Sequence, residues 1–450
     1  MPNHGRQSTP LSIPSVRTGA VTVRDLFAAS LIAADPTSFT ARAIRLRLPS
    51  ARSPSSRQTW IISLGKAASS MARAAVHEMT ERNQPLAGGI IVAPTVSHVP
   101  HSSLIAIAGD HPLPGKQSAL AADALHDLCD HVRGDDLVFV LISGGASSLV
   151  AAPVEGIAHN DLVALCDTLL RSGLDIGRVN AIRKRFLRWG AGRLATRLAP
   201  ARVEQIVLSD VIGDNLAHIG SGPCTPDPCT ATDVRRLIDE TMLAEQVPAS
   251  LMRYLDRVMK GEHPETPKPD APAFLFPGVP AVQGNGGVLD AGALRARVLG
   301  FEPVIIVSES LVGEAQPVGA RVASAALALP RGGVALWGGE TTVTLGASHG
   351  NGGRCQELAL SAAIALQEAG NAADGISILA AGTDGRDGPT DAAGAIIDSF
   401  TVSRIMEAGI DPRASLARHD TYEALHLGGA LLKTGMTGTN VGDVVIAVRT

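Results

Sequence analysis

The chain has 450 residues, of which 45% are hydrophobic and 18% charged, a mixture typical of globular domains and not of disordered segments. At roughly 100–200 residues per domain, this length predicts two or three domains. A net charge of −4 and 3% aromatic residues argue against a nucleic-acid binder. The sequence contains no apolar run of 18 residues, so no membrane span is predicted. Its five cysteines are scattered and form no CxxC pair, which favours reduced thiols in the cytoplasm.

Short apolar runs alternate with helical patterns along the first half of the chain. Residues 1–18 are polar and proline-rich, which predicts a loose tail. Helices are predicted at 22–34, 67–79, 117–132, 160–171 and 178–198, and apolar runs lie at 59–65, 88–93, 103–109, 136–145 and 205–211. Apolar runs of this length between helices indicate buried, mostly parallel strands. Residues 19–265 therefore predict a Rossmann-like, doubly wound α/β domain.

The second half repeats the alternation after a proline-rich, charged stretch at 261–272, which predicts a linker. A second, smaller α/β domain is predicted over 273–450. Its predicted strands lie at 281–285, 303–309, 376–382 and 444–448, with two more around a turn in 333–346, and its helices at 287–299, 315–328, 355–368 and 400–408.

Lys66 lies in the turn between the first predicted strand and a helix. Lysine is scarce, with six lysines among the 39 basic residues, so a lysine in such a turn is notable. Helix N-termini bind anions through free amides and the helix dipole, and a lysine can contact phosphate or carboxylate. The segment matches neither a P-loop nor a GxGxxG fingerprint. The alternative is a surface lysine at a helix start.

Four small residues, Ser143, Gly144, Gly145 and Ser147, lie directly after the predicted strand that ends at Ile142. Glycines let the backbone approach a ligand and hydroxyls donate hydrogen bonds, which suits a cradle for phosphate or carboxylate at the end of a strand. The alternative is a tight strand–helix turn with a serine cap.

Asp210 and Asp214 follow the next predicted strand, where carboxylates fit Mg²⁺ or a ribose hydroxyl. The alternative for both is an Asx turn or a helix cap. His111 lies in the loop GDHPLPG, and we predict a structural role for it. No histidine spacing indicates a zinc site.

The second domain carries two glycine-rich loops. Glu340 follows Gly338-Gly339, while Gly352 and Gly353 precede Arg354 at the start of a predicted helix. An arginine opposes the dipole there, so an anion beside it would stabilise the arrangement. The alternative is a glycine-rich hairpin with a surface arginine.

The other loop, after the strand at 376–382, contains Thr383, Asp384, Asp387 and Asp391. Three aspartates in eight residues could hold a hard cation, or form a capped loop in which Asp391 begins a helix. A further small polar turn, 437–443, contains Asn440.

A resemblance to a known family covers about residues 22–448. The segments that carry it are GKAA (65–68), SGG (143–145), NxxRK (180–184), GRLA (192–195), LSDVxGD (208–214), SGP (221–223), GGExxV (338–343), GGRxQE (352–357), AGTDGxDGPTDAAGA (381–395) and TGTNV (437–441). In number and order they resemble the glycerate 2-kinase family, which combines such a domain with a C-terminal MOFRL domain.

The resemblance implies phosphorylation of D-glycerate at its 2-hydroxyl by ATP and Mg²⁺, in a cleft between two domains. Lys66 and Arg354 match the family's cleft lysine and arginine, and Asp210 or Asp384 would hold Mg²⁺ or accept the hydroxyl proton. Further expected substrate or phosphate contacts are Ser143, Gly144, Gly145, Ser147, Asn180, Arg183, Glu340 and Asn440. Expected nucleotide contacts are Asp214, Gly352, Gly353, Thr383 and Asp387, with Asp384 as the metal ligand and Asp210 as a catalytic carboxylate.

Five positions depart from the family pattern, namely Ala146 for glycine, Arg185 for histidine, Leu187 for serine, Gly190 for lysine and Ile212 for proline. Ala146 adds a methyl group where the backbone could need a positive φ. A kinase for a related sugar acid, a hydroxypyruvate reductase (an older name for some relatives) and a ligand sensor without turnover are the alternatives. The oligomeric state is open, and a homodimer is compatible with the sequence.

Overall fold

The computed structural model describes residues 19–48, 57–275, 278–346 and 348–450, and the predicted tail at 1–18 lies outside them. The described chain forms two compact units. The larger unit consists of Ser30–Asp290 and Met436–Asp443, and the smaller unit of Ala291–Gly435, Val444–Thr450 and residues 19–29. Within these described ranges, no helix has both the length and the apolar character needed to cross a membrane.

The larger unit is built on a parallel sheet. In the described part of the chain its strands are β1 (Thr59–Leu64), β2 (Leu86–Ala93), β3 (Leu104–Ala108), β4 (Leu137–Ser143), β5 (Arg202–Leu208) and β6 (Ala281–Gln283). They lie in the order β3-β2-β1-β4-β5-β6, and each neighbouring pair is parallel. Every residue of β1 and β4 is buried, as expected for a strand covered on both faces. The predicted doubly wound fold is confirmed.

The strand order creates a switch point between β1 and β4. From β1 the chain moves outward to β2 and β3, and it then returns to place β4 on the other side of β1. Connections therefore leave these two adjacent strands in opposite directions. Ligands of open α/β sheets bind beside the carboxyl ends of strands at such a point. The turns that carry Lys66 and Gly144 lie there.

Helices surround this sheet. They are α1 (Gly19–Ala33, divided between the units), α2 (Pro36–Arg47), α3 (Ala68–Glu81), α4 (Lys116–His131), α5 (Ala146–Leu149), α6 (His159–Arg171), α7 (Ile176–Arg183), α8 (Arg193–Leu198), α9 (Ala231–Glu240) and α10 (Ala249–Met259). The sequence patterns above do not predict α2, α9 or α10. Its single helix at 178–198 is wrong, because Leu187 is extended and Ala191 and Gly192 have positive φ, so the chain turns between α7 and α8.

The start of the second domain also differs from expectation. Ala281–Gln283, predicted as its first strand, is β6 and pairs with β5 in the larger unit. The next helix, α11 (Asn285–Val298), contains the division between the units, which falls at residues 290–291 and not at 273. A three-residue strand carries too little pattern to show which sheet it joins.

The smaller unit has a mixed sheet. Its described strands are β7 (Val304–Ile306), β8 (Gly333–Gly339), β9 (Ile376–Gly382), β10 (Gly394–Asp398), β11 (Leu431–Leu432) and β12 (Asp443–Arg449), in the order β11-β10-β9-β12-β8-β7. β7 and β8 are parallel, whereas β10 is antiparallel to β9 and β11. The other helices are α12 (Ala315–Leu327), α13 (Arg354–Glu368), α14 (Thr401–Glu407), α15 (Pro412–Ala417) and α16 (Thr421–Leu427).

Two predictions for this unit are wrong. The segment 333–346 contains one strand and not two, because after Gly339 only Thr342 makes an isolated bridge, to Glu314. Asp391 does not begin a helix, since the next element is β10. Its carboxylate instead accepts hydrogen bonds from Tyr422 and Lys433.

The segment Met436–Asp443 belongs to the larger unit although it follows the smaller unit in sequence. The amide of Asn285 donates to the carbonyls of Val441 and Asp443 at 2.9 and 3.0 Å. The hydroxyl of Thr439 donates to the carbonyl of Ala34 at 2.7 Å. These bonds hold the turn predicted at 437–443 against residues more than 150 positions earlier.

A buried ion network stabilises the region between α7 and α8. Asp227, which is fully buried, pairs with Lys184 at 2.8 Å and accepts a hydrogen bond from Thr266. Arg185, 1% exposed, pairs with Glu265 at 2.6 Å. The arginine that replaces the family's histidine is therefore a buried structural residue.

We expect Asp227→Ala to destabilise the larger unit by about 3–5 kcal/mol, because it leaves Lys184 buried without its carboxylate. Urea denaturation followed by circular dichroism measures the change. The control is Asp239→Ala, whose exposed pair with Arg235 spans one helical turn and contributes about 0.3–0.5 kcal/mol. Equal losses in both variants would contradict this account.

Candidate active site

The turns after β1 and β4 are in direct contact. The amide of Lys66 donates to the carbonyl of Gly144 at 2.9 Å, and the amide of Ala67 donates to the hydroxyl of Ser143 at 3.0 Å. Because β1 and β4 pair along their whole length, both strands deliver these turns to the same edge of the sheet. The structure thus brings together Lys66, Ser143, Gly144 and Gly145, as the sequence predicts.

Glycine is required on both sides of this contact. Gly65 has a φ of 122°, and a Cβ there would lie 2.3 Å from the Ser143 hydroxyl. A Cβ on Gly144 would lie 1.9 Å from the Asp210 carboxylate. The amides of Gly144 and Gly145 donate to no group in the part of the chain that the structure describes. Two such amides side by side can hold an anionic oxygen.

Lys66 and Asp210 set the charge of this turn. Lys66 is exposed and makes no ion pair with any described residue. Asp210 follows β5 and is half-buried against Gly144. Burial raises the pKa of Asp210, while a backbone hydrogen bond and the positive charge of Lys66 oppose that rise. A cation free to bind an anion thus lies near a partly desolvated carboxylate.

His111 also lies at this turn, although the sequence analysis predicts a structural role for it. It follows β3, and its ring approaches Gly145, where a Cβ would lie 3.2 Å from His111 Cδ2 and 3.3 Å from Lys66 Cγ. Its position directly after a parallel strand, as for Lys66, Ser143 and Asp210, is the pattern that could have identified it.

The remaining small residues support the turn. The hydroxyls of Ser147 and Ser221 are 2.8 Å apart, and Ser221 is fully buried. Ala146 is buried at the start of α5 and does not have a positive φ, so the extra methyl group fits. A Cβ on Gly190 would lie 3.1 Å from the carbonyl of Lys184, so the family's lysine would be crowded in this backbone.

Three other predicted residues of the larger unit contact neighbours outside the Lys66 turn. Asp214 has a φ of 52° and lies against Gly284, just after β6, with one carboxylate oxygen buried and unpartnered among the described residues. Arg183 donates to the side chain of Asn180 at 2.6 Å. Burial lowers the pKa of Arg183. No contact brings Asn180 or Arg183 to the Lys66 turn within the described ranges.

In the smaller unit, Arg354 opens α13 as predicted. Its guanidinium lies 2.7 Å from the carboxylate of Glu340, which follows β8. The carboxylate of Asp387 accepts the amides of Cys355 and Gln356 at 3.1 and 2.8 Å and caps the same helix. A Cβ on Gly353 would lie 2.2 Å from Asp387 Cγ, so this close approach requires glycine. Asp387 therefore fixes the helix start that carries Arg354.

A cavity of about 210 Å³ lies beside Arg354 within this unit, lined also by Gly352, Gly353, Glu357 and His419. Glu357 is buried one turn along α13 from Arg354, and it accepts hydrogen bonds from Gln316 at 2.7 Å and from His419 Nδ1 at 3.0 Å. Sequence reasoning does not predict the Glu357–His419 pair, because 62 residues separate its members. Of the two residues, only Glu357 lies in one of the motifs noted in the sequence, GGRxQE at 352–357.

The other predicted residues occupy loop positions. Thr383 is fully buried at the end of β9, and Asp384 is half-buried and accepts the amide of Arg386 at 3.0 Å. The side chain of Asn440 accepts the amide of Gly442 at 3.2 Å and shapes the segment Met436–Asp443. No cluster of three or more His, Cys, Asp or Glu side chains suited to a metal occurs among the described residues.

A doubly wound sheet that carries a lysine and two glycine amides to its switch point is typical of α/β proteins that bind small anions. The profile of the family described as "Domain of unknown function (DUF4147)" matches residues 22–256, and that of the MOFRL family matches 333–443. The chain is 37% identical to a glycerate 2-kinase of Pyrococcus horikoshii over 87% of this chain and 88% of that one.

Two further comparisons agree. A D-glycerate 2-kinase of Thermotoga maritima is 35% identical over 86% of this chain and 90% of its own. A crystal structure described as glycerate kinase, from the same organism, superposes with a TM-score of 0.81 at 33% identity, covering 96% of this chain and 99% of that chain. The protein belongs to the glycerate 2-kinase family, which confirms the resemblance seen in the sequence.

We expect Asp210→Asn to raise the free energy of unfolding at neutral pH. The pKa of Asp210 is raised in the folded state, so the folded protein binds more protons than the unfolded chain between the two pKa values, and stability falls as pH rises through that window. Asparagine removes this loss. Urea denaturation at pH values from about 4, the ordinary carboxyl pKa, to about 7 measures the effect. The free energy of unfolding of Asp210→Asn should exceed that of the unmodified protein by an amount that grows with pH.

The matched control is Asp270→Asn, at an exposed position. For this variant, the curve of unfolding free energy against pH should run nearly parallel to that of the unmodified protein. An advantage for Asp210→Asn that shrinks toward neutral pH would show that burial does not raise the pKa of this carboxylate.

Proposed function

We propose that this enzyme transfers the γ-phosphoryl group of ATP to the 2-hydroxyl of D-glycerate and releases 2-phosphoglycerate and ADP. Its membership of the family supports this proposal. Two relatives named as glycerate 2-kinases also support it, because their similarity to this chain covers most of both sequences. The observation that carries the proposal is the Lys66 turn at the switch point, where, among the described residues, the lysine makes no ion pair and the amides of Gly144 and Gly145 have no hydrogen-bond partner. None of the five cysteines, all of which lie in the described ranges, forms a disulfide, in keeping with a cytoplasmic enzyme.

Phosphoryl transfer depends mainly on positioning and on neutralising charge. In our proposal the ammonium of Lys66 binds an oxygen of the transferring phosphoryl group, and the amides of Gly144 and Gly145 hold an anionic oxygen of the same ligand. Asp210 lies close enough to influence both charges and is retained as a catalytic carboxylate. Asp214, with its buried unpartnered oxygen, is proposed as a nucleotide contact.

We assign Arg354 to the same reaction, as a contact for the substrate carboxylate or the transferred phosphate. Glu340 at 2.7 Å holds its guanidinium when no ligand is bound, and an incoming anion would compete for it. The cavity beside Arg354 has glycine-lined walls and a volume suited to a small acid or part of a nucleotide. Gly352 and Gly353 contribute backbone to it, and Asp387 supports it through the helix cap.

Magnesium fits this proposal as a partner of ATP. Kinases usually bind it through one or two carboxylates and the phosphates of the substrate, without a dedicated protein cage. One half-buried carboxylate is therefore a sufficient protein contribution, and Asp384, at the end of β9, is our candidate. Such an ion would supply positive charge to the phosphates of ATP.

We expect Lys66→Ala and Arg354→Ala each to reduce kcat/KM by about a hundredfold or more. Removing one preorganised donor to a transition-state anion costs roughly 2.7–4 kcal/mol. Initial rates with ATP and D-glycerate measure the effect. The controls are Lys260→Ala, at an exposed helix end, and Arg413→Ala, which removes an exposed pair with Glu368. Near-normal rates for both site variants would overturn the assignment.

The function itself is tested by coupled detection of ADP over a panel of hydroxy acids, with the phosphorylated position read by NMR. Turnover with D-glycerate and a signal from the 2-position support the proposal. Faster turnover with another sugar acid would identify a related kinase. Oxidation of NADH by hydroxypyruvate without ATP would instead identify a reductase.

A further inference from the structure

His111 lies in the Lys66 turn, yet the roles assigned above do not use it. It follows β3 directly, and its ring is accessible to solvent. Neither ring nitrogen has a hydrogen-bond partner within the described residues. Because the ring is accessible and no described residue occupies its nitrogens, either nitrogen is available to a bound ligand.

The orientation of the ring is defined by Gly145. A Cβ placed on Gly145 would lie 3.2 Å from Cδ2 and 3.3 Å from Nε2 of His111, and 3.3 Å from Cγ of Lys66. The Nε2 edge therefore faces the backbone whose amide is free to bind an anion. Gly145 also has a φ of 84°, so a larger residue would strain the turn as well as crowd the ring.

The surroundings keep this imidazole neutral. Desolvation by the neighbouring protein lowers the pKa of His111, and the positive charge of Lys66 lowers it further. Two carboxylates lie on the segments that form this turn: Asp110, the preceding residue, which accepts the amide of Ser118, and Asp210, which lies against Gly144. Neither is a cause of the pKa shift of His111. At neutral pH, His111 thus has a free lone pair, beside the cation that is proposed to hold the phosphoryl group.

We propose that His111 is the general base of the reaction. Its Nε2 accepts the proton of the substrate hydroxyl while the hydroxyl oxygen forms its bond to the γ-phosphorus, and the bond from that phosphorus to the β–γ bridging oxygen breaks to release ADP. The imidazolium then returns its proton to water. This assignment rests on the proposed kinase function.

Asp210 is less suited to this step. Its carboxylate packs against the Cα of Gly144, so closely that a methyl group there would overlap it, and it is half-buried whereas His111 is exposed. The near-neutral range in which a histidine titrates also suits proton transfer better than that of a carboxylate, since a base works best when its pKa lies near the working pH.

The test compares His111→Gln with the unmodified enzyme in the pH dependence of kcat with saturating ATP, Mg²⁺ and D-glycerate. Glutamine keeps a polar group near the position of Nε2 but cannot take up a proton in this range. The unmodified enzyme should lose rate on the acid side, below the ordinary histidine pKa of about 6.5. His111→Gln should lower kcat by about a hundredfold or more and abolish that acid limb.

Two variants make the result specific. Asp210→Asn should retain the acid limb, because His111 still titrates. His131→Gln, at the exposed end of α4, should match the unmodified enzyme throughout. Calorimetric ATP binding shows that His111→Gln is folded, and His111→Asn provides a second variant if it is not.

Retention of the acid limb in His111→Gln, or its loss in Asp210→Asn alone, would overturn the assignment. A kcat close to normal in folded His111→Gln would do the same. Failure of the proposed function is a separate result, since the unmodified enzyme would then show no ADP release with any acid.

Discussion

The contact between the turns after β1 and β4 is the constraint on which the rest of the site depends. Two neighbouring parallel strands end together, and the Lys66 amide bonds directly to the Gly144 carbonyl. This is possible only because Gly65 and Gly144 leave space that a single methyl group would fill. Backbone amides, a free ammonium and a desolvated carboxylate then share one small volume, where each alters the charge of its neighbours.

The parts of the fold that the sequence predicts well are those with a strong local pattern. Fully apolar runs such as β1 and β4 have one stable place, in the middle of a covered sheet. Short elements carry less information, and β6 was assigned to the wrong unit because three residues cannot specify their neighbour. The helix α9 could have been found, since Val234, Leu237 and Ile238 have helical spacing and face the core.

Prediction of the site residues is also limited to those that lie in a strong local pattern. Lys66 and the small residues at 143–147 are recognisable because each motif follows a strand directly. The cap that Asp387 makes on α13 joins residues 31 and 32 positions apart, and the pairing of Glu357 with His419 spans 62. Such contacts depend on how the chain returns through the sheet, which local patterns do not encode. Arg185 departs from its family in sequence, yet its side chain lies in a buried ion network.

The return of Met436–Asp443 to the larger unit has a consequence for how the protein can be made and divided. Since this segment follows Ala291–Gly435 of the smaller unit in sequence, the larger unit cannot be completed on the ribosome until that stretch of the smaller unit has been synthesised. A fragment ending at Asp290 would lack the segment that Asn285 binds. Neither half of this enzyme corresponds to one uninterrupted stretch of the gene.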